Sequence, residues 1–135
     1  MRNILIATHG SFASGIKGSL NLLIGDQSEI SVIDAYIDDS DYTEKISQFF
    51  SNYQEEDEYF VFTDLLGGSV NQKMLVYKNQ YDFHLITGFN LPILLEIVLA
   101  GNPLTILEIE EIVRRCRQEL LLVNLEKSED EEEFL

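Results

Sequence analysis

Short apolar runs alternate along the chain with longer segments in which apolar residues recur every three or four positions. Four of the runs are β-branched or aromatic and mostly apolar on both faces, which is typical of strands buried in a parallel sheet. These predicted strands are Asn3–Thr8, Ile30–Tyr36, Tyr59–Asp64 and Tyr81–Gly88. The run Leu120–Leu125 predicts a further strand near the end of the chain.

Between the strands, apolar positions follow the period of an amphipathic helix, so each segment can pack one face on the sheet. Two such stripes are Phe12, Ile16, Leu20, Leu23 and Ile24, and Tyr42, Ile46, Phe49, Phe50 and Tyr53. Asn90 precedes the apolar run of another helix, which Gly101 is expected to end. The last helix is predicted from Ile106 to about Arg117.

Two residue pairs with capping-box spacing mark helix starts, Asp41 with Glu44 and Thr105 with Glu108. The resulting order β-α-β-α-β-α-β-α-α-β predicts an α/β fold whose doubly wound, mainly parallel central sheet has right-handed crossovers. With 135 residues, 45% of them hydrophobic, the chain is long enough for one core. We expect a single domain over residues 1–125.

Charge separates the end of the chain from the rest. The sequence holds 24 Asp and Glu against 9 Lys and Arg, a net charge of −15. Such a surface repels a phosphate backbone in every orientation, so no nucleic-acid partner is expected. Residues 126–135, EKSEDEEEFL, concentrate acids and are expected to form a solvated, disordered tail.

The cysteine content limits both cross-links and metal sites. Cys116 is the only cysteine and the chain has two histidines, which excludes an internal disulfide and a Cys₄ or Cys₂His₂ zinc site. The composition fits a reducing, intracellular compartment. Near the N-terminus the apolar stretch Ile4–Ala7 is too short for a signal peptide or a membrane span.

Candidate chemistry lies where the strands end, because ligands of parallel sheets bind beyond the carboxyl ends of the strands. His9 follows the first predicted strand and Asp64 ends the third. If the strand order is 2-1-3-4, the topological switch falls between these two strands and places both side chains in one crevice. A carboxylate that accepts one imidazole N–H fixes the tautomer and aims the other nitrogen outward.

The residues around this pair suit a phosphoryl group. Glycines permit tight turns, hydroxyls supply donors, and helix N-termini expose free N–H groups. The predicted phosphate-binding residues are Thr8, Gly10, Ser11, Gly68 and Ser69. Since Asn3–Ile16 and Thr63–Gln72 contain no Lys or Arg, backbone dipoles and hydroxyls would have to stabilise the phosphoryl charge.

Plainer roles stay open for several residues. A histidine at a strand end can serve a turn or cap, and Ser69 with Gln72 has the spacing of an ordinary capping box. His84 lies within the fourth predicted strand, so core packing or a satisfied hydrogen bond is expected for it. Cys116 lies on an apolar helix face and is expected to be a small core residue. What favours a chemical role for His9 and Asp64 is their predicted placement in one crevice, and not the type of either residue alone.

Three segments together resemble the enzyme IIA component of the mannose/fructose/sorbose family of the bacterial phosphoenolpyruvate-dependent sugar phosphotransferase system (PTS). They are THGSFASGIKGSLNLLIG, VFTDLLGGSVNQ and ITGFNLPILLEIVLA. The resemblance implies that His9 takes a phosphoryl group on Nε2 from phospho-HPr and passes it to a IIB component. It also implies that Asp64 pairs with the other ring nitrogen, that Ser69 lies near the phosphate, and that no metal or cofactor is needed.

The same resemblance implies an assembly. It implies a cytoplasmic homodimer with sheet order 2-1-3-4, in which Leu120–Leu125 crosses to the partner subunit. The IIB component is expected on a separate chain, and the membrane components IIC and IID are indirect partners that bring the protein to the membrane periphery. Where many relatives read GGSPxN, this chain reads Gly67-Gly68-Ser69-Val70-Asn71, which leaves the surface offered to IIB and the transported sugar open.

Three other functions are alternatives for a fold of this kind. A phosphodonor subunit of a dihydroxyacetone kinase shares the fold and a histidine after the first strand. A flavodoxin-like binding or regulatory module could use the first loop for a flavin phosphate. A two-component receiver would need an acidic pair for Mg²⁺ after the first strand, where Thr8-His9-Gly10 supplies none.

Overall fold

The computed structural model describes residues 1–101 and 103–125. Its strands are β1 (Arg2–His9), β2 (Ser31–Ala35), β3 (Glu58–Thr63) and β4 (His84–Thr87). Its helices are α1 (Phe12–Ile24), α2 (Thr43–Phe49), α3 (Ser69–Tyr77), α4 (Leu91–Leu99) and α5 (Ile106–Arg117). The four described strands form one parallel sheet in the order β2-β1-β3-β4, which confirms the predicted α/β fold and strand order.

Strand β1 lies at the centre of the sheet. Ala7 of this strand pairs with Ile33 of β2 on one side and with Thr63 of β3 on the other. The chain therefore leaves β1 and β3 at the same edge of the sheet, on either side of the topological switch. This register brings the segment after Thr63 next to the end of β1.

Both faces of the sheet are covered, as a doubly wound fold requires. Successive residues of a strand point to opposite faces, so Ile6 packs with α1, α4 and α5 whereas Leu5 packs with α2 and α3. On the first face the core includes Leu20 and Ile97, and on the second it includes Met74. All of these side chains are fully buried, so the sheet is a rigid base for the loops at its edge.

Two of the predicted helix starts are confirmed. Thr105 and Glu108 form the complete capping box, with each side chain bonded to the other's backbone N–H. Asn90 caps α4, because its Oδ1 accepts the backbone N–H of Ile93 at 3.1 Å. Helix α4 ends at Leu99, just before the glycine expected to end it.

The capping box predicted for α2 is wrong. Tyr42 is the N-cap of this helix and makes no side-chain cap bond. Asp41 instead accepts both the backbone N–H and the hydroxyl of Thr43, at 2.9 and 2.6 Å. The Asp41 carboxylate is thus already used in a local turn, and α2 ends at Phe49, before the predicted apolar stripe does.

The predicted fifth strand is not formed within the single chain. Residues 121–124 have no regular secondary structure, and the apolar side chains of this segment are strongly exposed, as for Leu122 (93%). A strand exists only beside a partner strand, and none of the described strands pairs with this segment. The predicted acidic tail, residues 126–135, lies outside the described residues. Within the described chain, no helix is both long and apolar enough to span a membrane.

Candidate active site

His9 and Asp64 face each other across the switch point of the sheet. His9 is the last residue of β1 and Asp64 directly follows β3. The distance from His9 Nδ1 to Asp64 Oδ2 is 2.9 Å. The same carboxylate oxygen accepts the backbone N–H of His9 at 2.9 Å, and Oδ1 accepts the N–H of Leu65 at 3.1 Å. The two side chains therefore share one crevice, as the strand pattern predicts.

The electrostatics of this pair define the histidine tautomer. Burial by itself would raise the pKa of Asp64, but the hydrogen bonds from the backbone and ring of His9 outweigh it and hold that pKa below its usual value. An ionised carboxylate is an acceptor only, so Nδ1 of His9 carries its proton toward Asp64. Nε2 then keeps its lone pair, and the imidazole side chain is 39% exposed.

The N-terminus of α3 lies beside this free nitrogen. Ser69 is the first residue of the helix, and its Oγ is 3.3 Å from His9 Nε2. Among the described residues, no protein group accepts the backbone N–H groups of Ser69 and Val70. Unsatisfied N–H groups at a helix start, together with the helix dipole, favour an anion.

Gly68 permits this close approach. A Cβ placed on it would lie 3.5 Å from His9 Cε1, 3.2 Å from Leu65 Cβ and 3.3 Å from the Leu65 carbonyl oxygen. The backbone at Gly68 is ordinary extended chain, so the reason for glycine is space and not conformation. A Cβ here would crowd Leu65, so the loop would have to shift beside the imidazole ring.

The first loop uses most of its polar groups internally. Thr8 is fully buried, and its Oγ1 accepts the N–H of Ala13 at 2.8 Å. Gly10 has a φ of +61°, which favours glycine, and donates its N–H to the carbonyl of Ala35 at 2.7 Å. Thr8 and Gly10 therefore shape the turn of the first loop. Ser11 is exposed and makes no cap bond to α1.

Two side chains near the site were missed by sequence reasoning. Asp34 of β2 reaches the start of α1, where its Oδ1 accepts the N–H of Ser14 at 3.0 Å. Tyr36 stacks on the imidazole of His9, with ring centroids 5.5 Å apart and an interplanar angle of 27°, and its hydroxyl donates to Ser69 Oγ at 3.0 Å. The strand pattern assigns Tyr36 only to the end of the second strand, and no motif singles it out.

The remaining candidates have structural surroundings. The capping box between Ser69 and Gln72 is not formed, since Gln72 Nε2 donates to the Gly67 carbonyl at 2.7 Å. Cys116 is a core residue, as predicted, and is 2% exposed. His84 is only half-buried, at the first position of β4, and burial lowers its pKa. No group of three metal-ligating side chains occurs in the part of the chain that the structure describes.

Known proteins resemble this chain in both sequence and fold. The model of the family "PTS system fructose IIA component" matches residues 3–114. The PTS system fructose-specific EIIA component of Bacillus subtilis (strain 168) is 27% identical over 101 residues, which cover 73% of this chain and 69% of that protein.

Solved structures of PTS proteins have a similar fold. A structure from Klebsiella pneumoniae, described as a permease of the phosphoenolpyruvate-dependent sugar PTS, superposes with a TM-score of 0.79 at 30% identity, covering 90% of both chains. The PTS IIA protein associated with the fucose utilization operon of Streptococcus pneumoniae superposes with a TM-score of 0.74 at 27% identity, covering 94% of this chain and 95% of that one. Since the family model spans most of the sequence, the chain belongs to the PTS fructose IIA family and is a phosphoryl-transfer component of a sugar phosphotransferase system.

Proposed function

We propose that His9 is the residue that carries the phosphoryl group. It accepts the group on Nε2 from phospho-HPr and passes it to a IIB component on a separate chain. The observation that supports this most directly is the hydrogen bond from His9 Nδ1 to Asp64, which leaves Nε2 with a free lone pair beside the start of α3. In each transfer, the attacking nitrogen forms a bond to phosphorus while the bond from phosphorus to the donor nitrogen breaks.

Asp64 prepares the imidazole for this step. Its carboxylate holds the Nδ1 proton in place and offsets the positive charge that develops on the ring as Nε2 bonds to phosphorus. Because the carboxylate is already bonded to the backbone of the same histidine, it needs no rearrangement during transfer. In a site that acts by positioning and charge stabilisation, such preorganisation supplies most of the rate enhancement.

The phosphoryl oxygens meet neutral donors. The hydroxyl of Ser69 and the free N–H groups of Ser69 and Val70 lie at the start of α3, and the hydroxyl of Ser11 is exposed at the start of α1. We assign phosphate contacts to these residues. Gly68 provides the space for the group, whereas Thr8 and Gly10 shape the first loop.

The partners follow from this assignment and from the charge. We propose HPr and IIB as direct partners, with IIC and IID as indirect ones that bring this cytoplasmic protein to the membrane periphery. A chain with a net charge of −15 favours partner surfaces with positive charge around their own phosphohistidine. The association rate should therefore fall as salt is raised.

We also propose a homodimer in which residues 120–125 of one subunit add a strand to the sheet of the other. The exposed apolar side chains of this segment and the unpaired outer edge of β4 support the pairing. Light scattering should give twice the chain mass of 15.5 kDa for the intact protein. A Leu122→Asp variant should shift toward the monomer, and a monomeric intact protein at micromolar concentration would exclude the exchange.

The test of the function is phosphorylation in a reconstituted system. The protein is incubated with phosphoenolpyruvate, enzyme I and HPr, and mass spectrometry measures one acid-labile phosphoryl group per chain. His9→Ala should abolish the label and the matched control His84→Ala should keep it. Addition of IIB should then discharge the wild-type protein, whereas label that persists in His9→Ala would refute the proposal.

A further inference from the structure

We propose that Tyr36 is a positioning residue for phosphoryl transfer, whose ring packs on the His9 imidazole and whose hydroxyl orients the Ser69 hydroxyl toward Nε2. This inference rests on the proposed role of His9. It adds a residue that directly follows the edge strand β2 to a site otherwise formed at the ends of β1 and β3 and at the start of α3. The role is distinct from that of Asp64, which acts on the opposite nitrogen of the ring.

The first argument is the direction of the hydrogen bonds. A serine hydroxyl has one hydrogen to donate and two lone pairs that accept. The Tyr36 hydroxyl donates to Ser69 Oγ at 3.0 Å, so the single hydrogen of Ser69 is free to point at His9 Nε2, 3.3 Å away. Because Asp64 holds the proton on Nδ1, Nε2 is an acceptor, and the donors run in one direction from Tyr36 through Ser69 to His9.

This arrangement suits a nitrogen that must attack. A separation of 3.3 Å is long for a hydroxyl hydrogen bond, so the hydrogen bond from Ser69 to Nε2 is weak before transfer. When Nε2 bonds to phosphorus, the Ser69 hydrogen can turn to a phosphoryl oxygen without losing the bond from Tyr36. Tyr36 thereby keeps the serine rotamer suitable for both states.

The second argument is the packing of the rings. Tyr36 and His9 stack with centroids 5.5 Å apart, in the offset range that favours aromatic pairs. Asp64 fixes the imidazole at one edge, and Tyr36 limits its rotation by covering one face. Since Tyr36 is 58% exposed, it performs this role at the open side of the site, where a partner protein must arrive.

The third argument is the backbone of Tyr36. Its φ is +66°, and among the described residues it is the only non-glycine with a positive φ. Bulky side chains are rare in this region because Cβ crowds the following carbonyl. A turn of this kind is ordinarily satisfied by glycine or asparagine, so a tyrosine here is explained by what its side chain contacts.

A second tyrosine and a lysine complete the surroundings of the Tyr36 hydroxyl. The Tyr42 hydroxyl lies 3.4 Å from that of Tyr36, and Lys73 Nζ lies 4.7 Å from the centre of the Tyr42 ring.

The test measures single-turnover phosphorylation as phospho-HPr is varied. Tyr36→Phe keeps the ring and removes the donor, and it should lower the maximal rate by about 3- to 10-fold, the value of one net hydrogen bond. The half-saturating concentration of phospho-HPr should not change. Tyr77→Phe removes a hydroxyl from a half-buried tyrosine of α3 whose ring packs on Phe50, and it should leave the rate unchanged.

A double-mutant cycle isolates the route through serine. In a Ser69→Ala background, Tyr36→Phe should have no further effect on the rate, and losses that multiply would overturn the route. The ¹⁵N resonance of His9 Nε2 should shift in Tyr36→Phe and not in Tyr77→Phe. A wild-type rate in Tyr36→Phe would overturn this inference alone, because His9 would still be labelled. Label in His9→Ala would instead overturn the function on which it rests.

Discussion

Asp64 holds His9 at two points, because one carboxylate oxygen accepts both the backbone N–H and the ring Nδ1 of that residue, each at 2.9 Å. The end of β1 and the imidazole ring are thereby fixed to the same atom. Rotation of the ring would break one of two charge-assisted hydrogen bonds, which are about twice as strong as neutral ones. The orientation of Nε2 follows from this double attachment.

Asp64→Asn should therefore reduce phosphoryl transfer far more than it affects folding. An amide can donate as well as accept, so it no longer enforces the proton on Nδ1 and no longer offsets charge on the ring. We expect the rate of phosphorylation by phospho-HPr to fall on the order of 100-fold or more, as when a carboxylate that orients a catalytic histidine is neutralised. Stopped-flow or quenched-flow transfer assays measure this rate.

Asp34→Asn is the matched control for that variant. Asp34 is a second acid near the site, but its carboxylate accepts the N–H of Ser14 at the start of α1 and forms no hydrogen bond with His9 or Asp64. An asparagine oxygen can accept the same bond, so the rate should change less than about threefold. Equal losses in the two variants would show that net charge matters and that the His9 contact does not.

The ionisation of Asp64 also predicts a dependence of stability on pH. The pKa of the folded carboxyl lies below its usual value, and the unfolded value is about 4. Ionised Asp64 therefore stabilises the fold above pH 4, and this contribution is lost as the pH falls through the folded pKa.

Urea unfolding of the wild type and of Asp64→Asn between pH 6 and pH 2 measures this contribution. The difference in free energy of unfolding should be largest near pH 6 and should shrink toward pH 2. A difference that stays constant with pH would mean that the carboxylate is not preferentially ionised in the folded state.

Much of the fold was predictable because it depends on local patterns. The runs that form β1 and β3 are apolar on both faces, and the sheet order 2-1-3-4 is what the family resemblance implies. The placement of His9 beside Asp64 follows from that order, since both side chains stand at the ends of adjacent strands. A pair separated by 55 positions is thus expected once that strand order is assumed.

The parts that were missed depend on contacts that no local pattern encodes. Tyr36 enters the site because the chain turns with a positive φ directly after β2, an unexpected conformation for a tyrosine. The Thr8 hydroxyl accepts the backbone N–H of Ala13 at the start of α1, a contact that the sequence pattern does not indicate. Asp41 has capping-box spacing with Glu44, yet its carboxylate accepts the backbone N–H of Thr43, one residue before Glu44. The strand expected at 120–125 must pair with the edge of a sheet, and within the described chain this segment does not lie beside one.

Gly68→Ala should disturb the site by crowding. The added methyl group would lie 3.2 Å from Leu65 Cβ and 3.3 Å from the Leu65 carbonyl oxygen, so the loop must move by a few tenths of an ångström. We expect a loss of about 1 kcal/mol in the free energy of unfolding and a slower phosphoryl transfer. Urea unfolding and the transfer assay measure the two effects.

Gly18→Ala is the control for this substitution. Gly18 lies within α1, and a Cβ there meets nothing within 4 Å. Alanine in a helix interior is favoured over glycine by about 0.5–1 kcal/mol, so the protein should become more stable and transfer should be unchanged. A Gly68→Ala protein that behaves like Gly18→Ala would contradict the tight packing of Gly68 against Leu65 beside His9.

Cys116 should be unreactive in the folded protein. Burial, followed by the hydrogen bond to Glu96, raises the pKa of its thiol to about 12. The thiolate, which is the reactive form, is then on the order of 10⁻⁴ of the total at pH 8. Alkylation by iodoacetamide, followed by mass spectrometry, should be slow in the native protein and fast in urea. Equal rates would place the thiol at the surface.

The central claim is that Asp64 holds the Nδ1 proton so that Nε2 of His9 receives the phosphoryl group. The most direct test is NMR of ¹⁵N-histidine-labelled protein phosphorylated by phosphoenolpyruvate, enzyme I and HPr. We predict coupling between phosphorus and Nε2 of a single histidine, with a proton retained on Nδ1, and loss of that signal in His9→Ala. Phosphorus coupled to Nδ1 of His9, or to either nitrogen of His84, would contradict the account.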